Sequence, residues 1–412
     1  MATPEEWEEI YEMSKKQSLA GIAFAGVERL PHEQMPPGRR IRQWAVKAEK
    51  IWEHNAKVSE DCRVISRFFE ENGFDCVILK GQGNFAYYPE WLQGLRSAGD
   101  IDVWALPKGK INGNYNKDNQ DNRDNKGNVN PIRAVIEFCL SKKRGEYVYY
   151  HNLDFPVLNQ TPVEVHYRPT WLYNPFRNRV LQRWFRQFII HNAQFIMYDG
   201  YKIPSVEFNV VFQLLHLYKH IFEEGIGLRQ LLDYYFVVTK YGDFVRKRNA
   251  ALRNAIGGCY ENDINDNLDN EKSLNQRAEA SDLNILNPLN FPSVNEIIAK
   301  LGLSEFAGAV MYVMREVCAM PEERMLCKPD EKRGKKLLEE IMIGGNFGKY
   351  DERYNWAETT NGSMDYRGAS YAVARLKHNF QFLRDYPSEV LWEPLFRVYH
   401  WLWRKCRLWR FE

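Results

Sequence analysis

Paired cysteines are missing from this 412-residue chain. Its seven cysteines, at 62, 76, 139, 259, 318, 327 and 406, are scattered and never spaced CxxC. That pattern excludes a disulfide framework and argues against a zinc ribbon or finger. Long apolar runs are missing too, since none approaches the roughly 20 residues needed to span a bilayer. The first nine residues are acidic and lack the apolar stretch of a secretory signal, so a reduced, cytoplasmic protein is expected. Neither charge sign dominates: 56 Lys and Arg face 54 Asp and Glu. No global coat for nucleic acid follows from such a balance. What the chain does have is aromatic residues, at 14% of its length, and enough residues for two or three domains with sizeable cores.

Breakers and apolar spacing divide the chain into three regions. Residues 1–73 read as helical, with Pro4, Glu5 and Glu6 suited to a first turn and 41–72 running long with few breakers. A mixed core is expected over 74–204. It has short strands at 76–79, 100–105, 146–150, 154–158 and 162–167, and a helix opening at Pro131. From about 175 helical spacing takes over, and 205–412 reads as a helical region with Val206–Phe222 and Leu228–Thr239 its clearest helices. Two stretches rich in Asn and Asp, 109–130 and 258–285, lack an apolar stripe and are expected to be insertions. The fold class expected is α+β: a short mixed sheet with flanking helices, between helical N-terminal and C-terminal regions.

The residues that carry chemistry lie in the mixed core. In Gly99-Asp100-Ile101-Asp102-Val103, strand alternation points both carboxylates to one face and the aliphatic residues to the other. Two carboxylates side by side repel unless a cation lies between them, and an oxygen-seeking ion such as Mg²⁺ or Mn²⁺ suits that place. Pro162-Val163-Glu164-Val165-His166 repeats the alternation, with Glu164 and His166 on one face. A strand neighbouring 100–105 would bring Glu164 to the Asp pair. Three carboxylates can hold two ions that clamp the attacking and leaving oxygens. Glu164 could also take the proton of an acceptor hydroxyl. Upstream, Leu79-Lys80-Gly81-Gln82-Gly83 is a strand end opening into a glycine turn, where backbone N–H groups can approach phosphate. Lys80 and Arg96 could neutralise phosphate charge.

The run Leu79-Lys80-Gly81, Tyr88-Pro89, Arg96 and Gly99-Asp100-Ile101-Asp102 resembles the uncharacterised nucleotidyltransferase family of the DNA polymerase beta-like superfamily. Val163-Glu164-Val165-His166, the His216–His220 helix, and Gly227-Leu228-Arg229 with Asp233 fit the same family. Gly344-Gly345-Asn346-Phe347-Gly348 and Tyr386-Pro387-Ser388-Glu389 look like its Bacteroides-type bacterial form. The resemblance implies transfer of a nucleoside monophosphate from a nucleoside triphosphate, ATP included, to an acceptor hydroxyl, with pyrophosphate leaving. It implies Asp100, Asp102 and Glu164 as catalytic, metal-holding acids. The nucleotide and its phosphates would fall to Lys80, Gly81, Gln82, Gly83, Arg96 and His166. Two divalent ions, Mg²⁺ or Mn²⁺, are the implied cofactors. Gln82 stands where better-known members of the superfamily carry Ser or Gly.

Outside that core, His216, Lys219, His220 and Arg229 could line a cleft. His216 and His220 are spaced i, i+4, but without the HExxH glutamate they read as interior packing or a phosphate contact rather than a zinc pair. Arg229 and Asp233 share that spacing and could pair on a helix surface. The basic, tryptophan-rich tail 392–411 could touch a partner or membrane surface, or pack as a terminal helix. The acceptor could be a small molecule, a sugar, a protein or an RNA. Two alternatives accompany the enzyme reading. One is a catalytically degenerate nucleotide-binding or assembly protein, and the other is a toxin–antitoxin component modifying RNA or protein.

Overall fold

A computed structural model of the chain describes residues 2–108, 130–142, 148–158, 161–190, 195–260, 292–354 and 369–408. Three helices come first: α1 (Pro4–Lys16), α2 (Ala20–Val27) and the long α3 (Gly38–Glu71). Thr3 caps α1 through a capping box with Glu6, which satisfies end N–H groups the helix cannot pair itself. Trp44, Ile51, Val58, Cys62, Ile65 and Phe69 form the buried stripe of α3, and polar Asn55 lies within it.

The chain then enters β1 (Phe74–Ile78), a 3₁₀ segment (Gly81–Tyr87), the single-turn α4 (Glu90–Gln93) and β2 (Ile101–Pro107). Next come α5 (Pro131–Lys142), β3 (Asn152–Asp154), β4 (Val163–His166), α6 (Pro175–Ile190) and the hairpin β5 (Ile196–Tyr198) to β6 (Tyr201–Ile203). The six strands make one mixed sheet in the order β3-β4-β2-β1-β6-β5. β1 runs antiparallel to β2, while β4 runs parallel to β2 with Asp102 opposite Glu164.

Alternation sends the two faces of the sheet into different cores. Cys76, Ile78, Ile101, Val103, Ala105, Val163 and Val165 pack with the C-terminal half of α3 and with α5. Val77, Leu79, Trp104 and Leu106 face the helical half of the molecule, where Trp104 stacks on Phe208 at 5.5 Å. Asp102 therefore points toward the helices, not into the α3 and α5 layer.

That helical half consists of α7 (Val206–Glu223), α8 (Leu228–Tyr260), α9 (Val294–Lys300), α10 (Ser304–Cys318), α11 (Glu331–Gly344), α12 (Ala369–Phe380) and α13 (Pro387–Leu408). α7 is apolar on almost every side and buried along its length, which makes it the axis of the largest core. No helix among the described residues is long and apolar enough to cross a membrane.

The mixed α+β class agrees with the sequence reading, two local expectations are corrected, and one element was not foreseen. The strand expected over 146–150 reduces, in its described part, to one bridge between Val148 and Leu153. The strand expected over 154–158 lies instead at Asn152–Asp154, because Pro156 has no N–H with which to continue the ladder. The hairpin at 196–203 has no counterpart in the sequence reading; strands of three residues carry too little alternation to register. The Asn/Asp-rich stretches 109–130 and 258–285 fall almost wholly outside the described residues.

Candidate active site

Lys80 follows the buried end of β1, and the chain then turns into the 3₁₀ segment. Two glycines permit that turn. Gly81 has φ +62°, which disfavours any residue with a Cβ. A Cβ on Gly83 would lie 2.5 Å from the Ile78 carbonyl oxygen, so the turn can press onto the strand end only without one. Gln82 points away from the cleft: it is buried, and its Nε2 donates to Asn55 Oδ1 at 3.1 Å. Asn55 also donates to the carbonyls of Gly94 (2.8 Å) and Arg96 (2.6 Å). One polar residue on α3 thereby ties the glycine turn to the loop that leads into Asp100.

The sheet register brings the acids together. Asp102 is 1% exposed; its Oδ1 lies 3.0 Å from Lys80 Nζ and 2.9 Å from His166 Nε2, while its Oδ2 has no partner. Asp100 is more open and lies 3.9 Å from the same amine. Glu164 accepts from Asn152 Nδ2 at 2.6 Å and lies 3.7 Å from His166 Nε2. Ligand atoms of Asp102, Glu164 and His166 all fall within 4.8 Å of one another, a spacing that could hold a metal ion. The unpartnered, buried Oδ2 of Asp102 adds an acceptor that protein donors leave unused, so the donor set fits a hard divalent cation.

Electrostatics separate these groups. Burial and the neighbouring Asp102 raise the Asp100 pKa to about 6, with Lys80 opposing. Burial works against ionisation of Glu164 as well, but the His166 hydrogen bond and the Lys80 charge overcome it and hold the pKa at about 2. Burial would lower the Lys80 pKa, yet Asp100, Asp102 and Glu164 together raise it. The amine stays charged among acids, where a divalent cation would also be attracted.

Across from the sheet, α7 and α8 complete a cleft that opens to solvent. Lys80, Gly81, Asp100 and Asp102 line one side; Gln213, His216, Arg229, Gln230 and Phe347 line the other. Arg96 reaches it as well, but its guanidinium is held by both oxygens of Asp233 at 2.7 Å, with Tyr88 Oη donating to the same carboxylate. The i, i+4 pairing expected between Arg229 and Asp233 is therefore replaced by a pair 137 residues apart in sequence. Arg229 instead donates to the Ser97 carbonyl at 2.9 Å, and its Nε has no partner. Burial, then repulsion from Arg96, lowers its pKa to about 10.

Of the other expected cleft residues, His216 lines the cleft, whereas Lys219 and His220 are not among its lining residues. The His216 and His220 rings meet edge to face at 4.3 Å, with His216 stacked on Phe212 and His220 tilted against Phe347. Neither joins the metal-capable group. Lys219 Nζ lies 3.2 Å from the Trp171 ring centroid and 3.4 Å from His151 Nε2, and the His151 ring is 5.0 Å from that of His166.

Sequence reading missed Asn55, His151, Asn152, Gln213 and Gln230. Asn55 left a trace, a polar residue at a stripe position of an otherwise apolar helix face. The others left none, because only the fold makes them neighbours. No curated protein and no solved structure matches this chain. A model of the uncharacterised nucleotidyltransferase family, however, matches residues 3–251 and takes in the glycine turn, all three acids, and both Arg96 and Arg229. On that match, over more than half its length, the chain belongs to the uncharacterised nucleotidyltransferase family.

Proposed function

We propose that the protein moves a nucleoside monophosphate from a nucleoside triphosphate to an acceptor hydroxyl, with release of pyrophosphate, and that a divalent metal supports the reaction. The observation that carries this reading is Asp102. It is a fully buried carboxylate in register with Glu164, and one of its oxygens is unpartnered beside a cleft lined with cations. Asp100, Asp102 and Glu164, with His166 against them, would hold Mg²⁺ or Mn²⁺. Bound there, the metal would neutralise phosphate charge and polarise the reacting phosphoryl group.

The chain's own residues supply the rest. Glu164, held ionised by His166 and Lys80, suits a ligand better than a base. Asn152 fixes its orientation from the neighbouring strand. Lys80 sits where it can follow charge moving between the acids and a phosphate. Arg229, buried and facing the cleft, offers a fork for phosphate oxygens. Of the glycine turn, Gly81 lines the same space, while the Gly83 N–H is taken by the Lys80 carbonyl at 3.0 Å. Gln82 has no place in this set, since its side chain is committed to Asn55. That commitment favours one second reading, a protein that binds nucleotide without transferring it. The tail helix α13 buries Glu389, Val390, Glu393 and Trp403 and leaves Leu391, Leu395, Val398 and Trp401 outward, a surface available to a partner.

Incubation with each labelled triphosphate, Mg²⁺ and a cell extract tests the transfer. Label should move to an acceptor, and Asp102→Asn should reduce the yield by about 10³-fold or more, the several kcal/mol expected when a metal ligand is lost. Failure of every triphosphate to label any acceptor, with binding intact, would select the non-transferring reading instead.

A further inference from the structure

Beyond the matched 3–251 region, one residue enters the cleft from the C-terminal helices. Phe347 lies in the loop after α11 and is the one apolar side chain among the cleft-lining residues; the others are glycine, charged or polar. Its backbone is left-handed, φ 57° and ψ 33°, a conformation that a bulky residue adopts at a cost. The surrounding loop is built to hold it so. Gly345 and Gly348 also have positive φ, and a Cβ on Gly348 would overlap the Glu224 carbonyl oxygen. In the α7–α8 turn, a Cβ on Gly225 would lie 3.2 Å from the Gly348 nitrogen and one on Gly227 2.8 Å from the Asn346 Cα. Packing that over-determines a strained phenylalanine at a cleft is grounds to ask what the ring meets there.

The ring is half-buried. His220 lies 5.3 Å away, tilted by 57°, and the Arg229 guanidinium is 5.5 Å from its centroid. Beside it, Gln230 is 5% exposed and lines the same cleft. Its Oε1 accepts the Gly227 N–H at 2.8 Å, which fixes the amide so that Nε2 is the free end, and Nε2 has no partner. The cleft thus runs from acids and Lys80, past Arg229, to a flat apolar ring with an unused donor beside it. A nucleotide has the same order of parts: metal-bound phosphates, then sugar, then a flat base rimmed by acceptors.

We propose that Phe347 is the platform on which the nucleobase of the substrate stacks, with Gln230 Nε2 offered to an acceptor of the nucleoside. This inference rests on the nucleotide reading above and adds a subsite from outside the family match. Because stacking is indifferent to which base is present, Phe347 would supply affinity for any nucleoside triphosphate, and selectivity would fall to the Gln230 amide.

Titration calorimetry of the full chain with Mg²⁺ complexes of ATP, GTP, CTP, UTP and inorganic tripolyphosphate tests it. Tripolyphosphate carries the charges and no base. Phe347→Ala should weaken nucleoside triphosphate binding by about tenfold or more while leaving tripolyphosphate unchanged. Phe347→Trp should restore nucleotide binding. Phe347→Asn, which accepts the left-handed backbone readily, serves as a second truncation should alanine disturb the loop. Equal loss of tripolyphosphate and nucleotide binding in both truncations, or no loss of either, would overturn the platform. If the wild-type protein binds tripolyphosphate but no nucleoside triphosphate, the nucleotide reading itself falls, and this inference with it.

Discussion

The two walls of the cleft each contribute a buried arginine, and they treat it differently. Arg96, on the loop entering β2, is clamped by Asp233 through two bonds of 2.7 Å, and its charge is spent on joining that loop to α8. Arg229, four residues before Asp233 on the same helix, is also buried, but it donates to a carbonyl at 2.9 Å and lies over the Phe347 ring rather than meeting a carboxylate. The sheet-side arginine is thus closed by a carboxylate, and the helical-side arginine is left open. An open, buried cation is costly to maintain unless something anionic completes it. The contrast separates residues that hold the cleft together from residues that hold what enters it.

Paired substitutions put that contrast at risk. Arg96→Met strands the Asp233 carboxylate in the interior, and breaking one partner of a buried pair costs about 3–5 kcal/mol. Denaturant unfolding should show that loss. Arg229→Met, by the same argument, should leave stability close to wild type yet weaken triphosphate binding by roughly tenfold to a hundredfold, as expected for a lost charged hydrogen bond. The two readouts should cross. If Arg229→Met destabilised the fold as much as Arg96→Met, both arginines would be structural and the open-charge argument would fail.

A smaller effect concerns a carboxylate on the helical side. Glu389 is 1% exposed, accepts the Tyr173 N–H at 2.7 Å, and has an unpartnered Oε1. Burial raises its pKa from 4.5 to about 7, against the backbone N–H contacts that lower it. A carboxyl raised on folding binds its proton more tightly in the native state. Its contribution to stability is therefore complete below about pH 4.5 and lost as pH rises through about 7. Unfolding free energy should fall across that window by at most about 1.4 kcal/mol per pH unit from this group. Glu389→Gln keeps an acceptor for Tyr173 and should flatten the slope; an unchanged slope would assign it to other groups.

How much of this was legible in the sequence follows from which interactions are local. Alternation alone placed Asp100 and Asp102 on one face, and Glu164 with His166 on another strand, because a two-residue period survives any tertiary context. The glycine turn after Lys80 was legible for the same reason. Which strand neighbours which was not, so the Asp102–Glu164 register had to come from the fold. The clearest misreading was the Arg229–Asp233 pair. Helical spacing made it the obvious partner choice, but Asp233 faces Arg96 and Tyr88, and a bidentate buried contact outweighs a local pair. Gln82 was misread through position alone: its backbone belongs to the turn, whereas its side chain answers to Asn55 on α3. Phe347 was visible only as part of a glycine-rich motif, since nothing local tells which cleft a loop residue will enter.

Asp102 and its neighbours are proposed to hold a divalent metal for a nucleotide in this cleft. Anomalous diffraction from crystals grown with Mn²⁺ and a non-hydrolysable nucleoside triphosphate analogue tests it most directly. A Mn²⁺ peak is expected within coordination distance of Asp102 Oδ2, shared with Asp100 or Glu164, with the analogue's phosphates reaching Arg229. Clear density for the analogue in the cleft with no Mn²⁺ at Asp102, or Mn²⁺ bound only elsewhere, would contradict it.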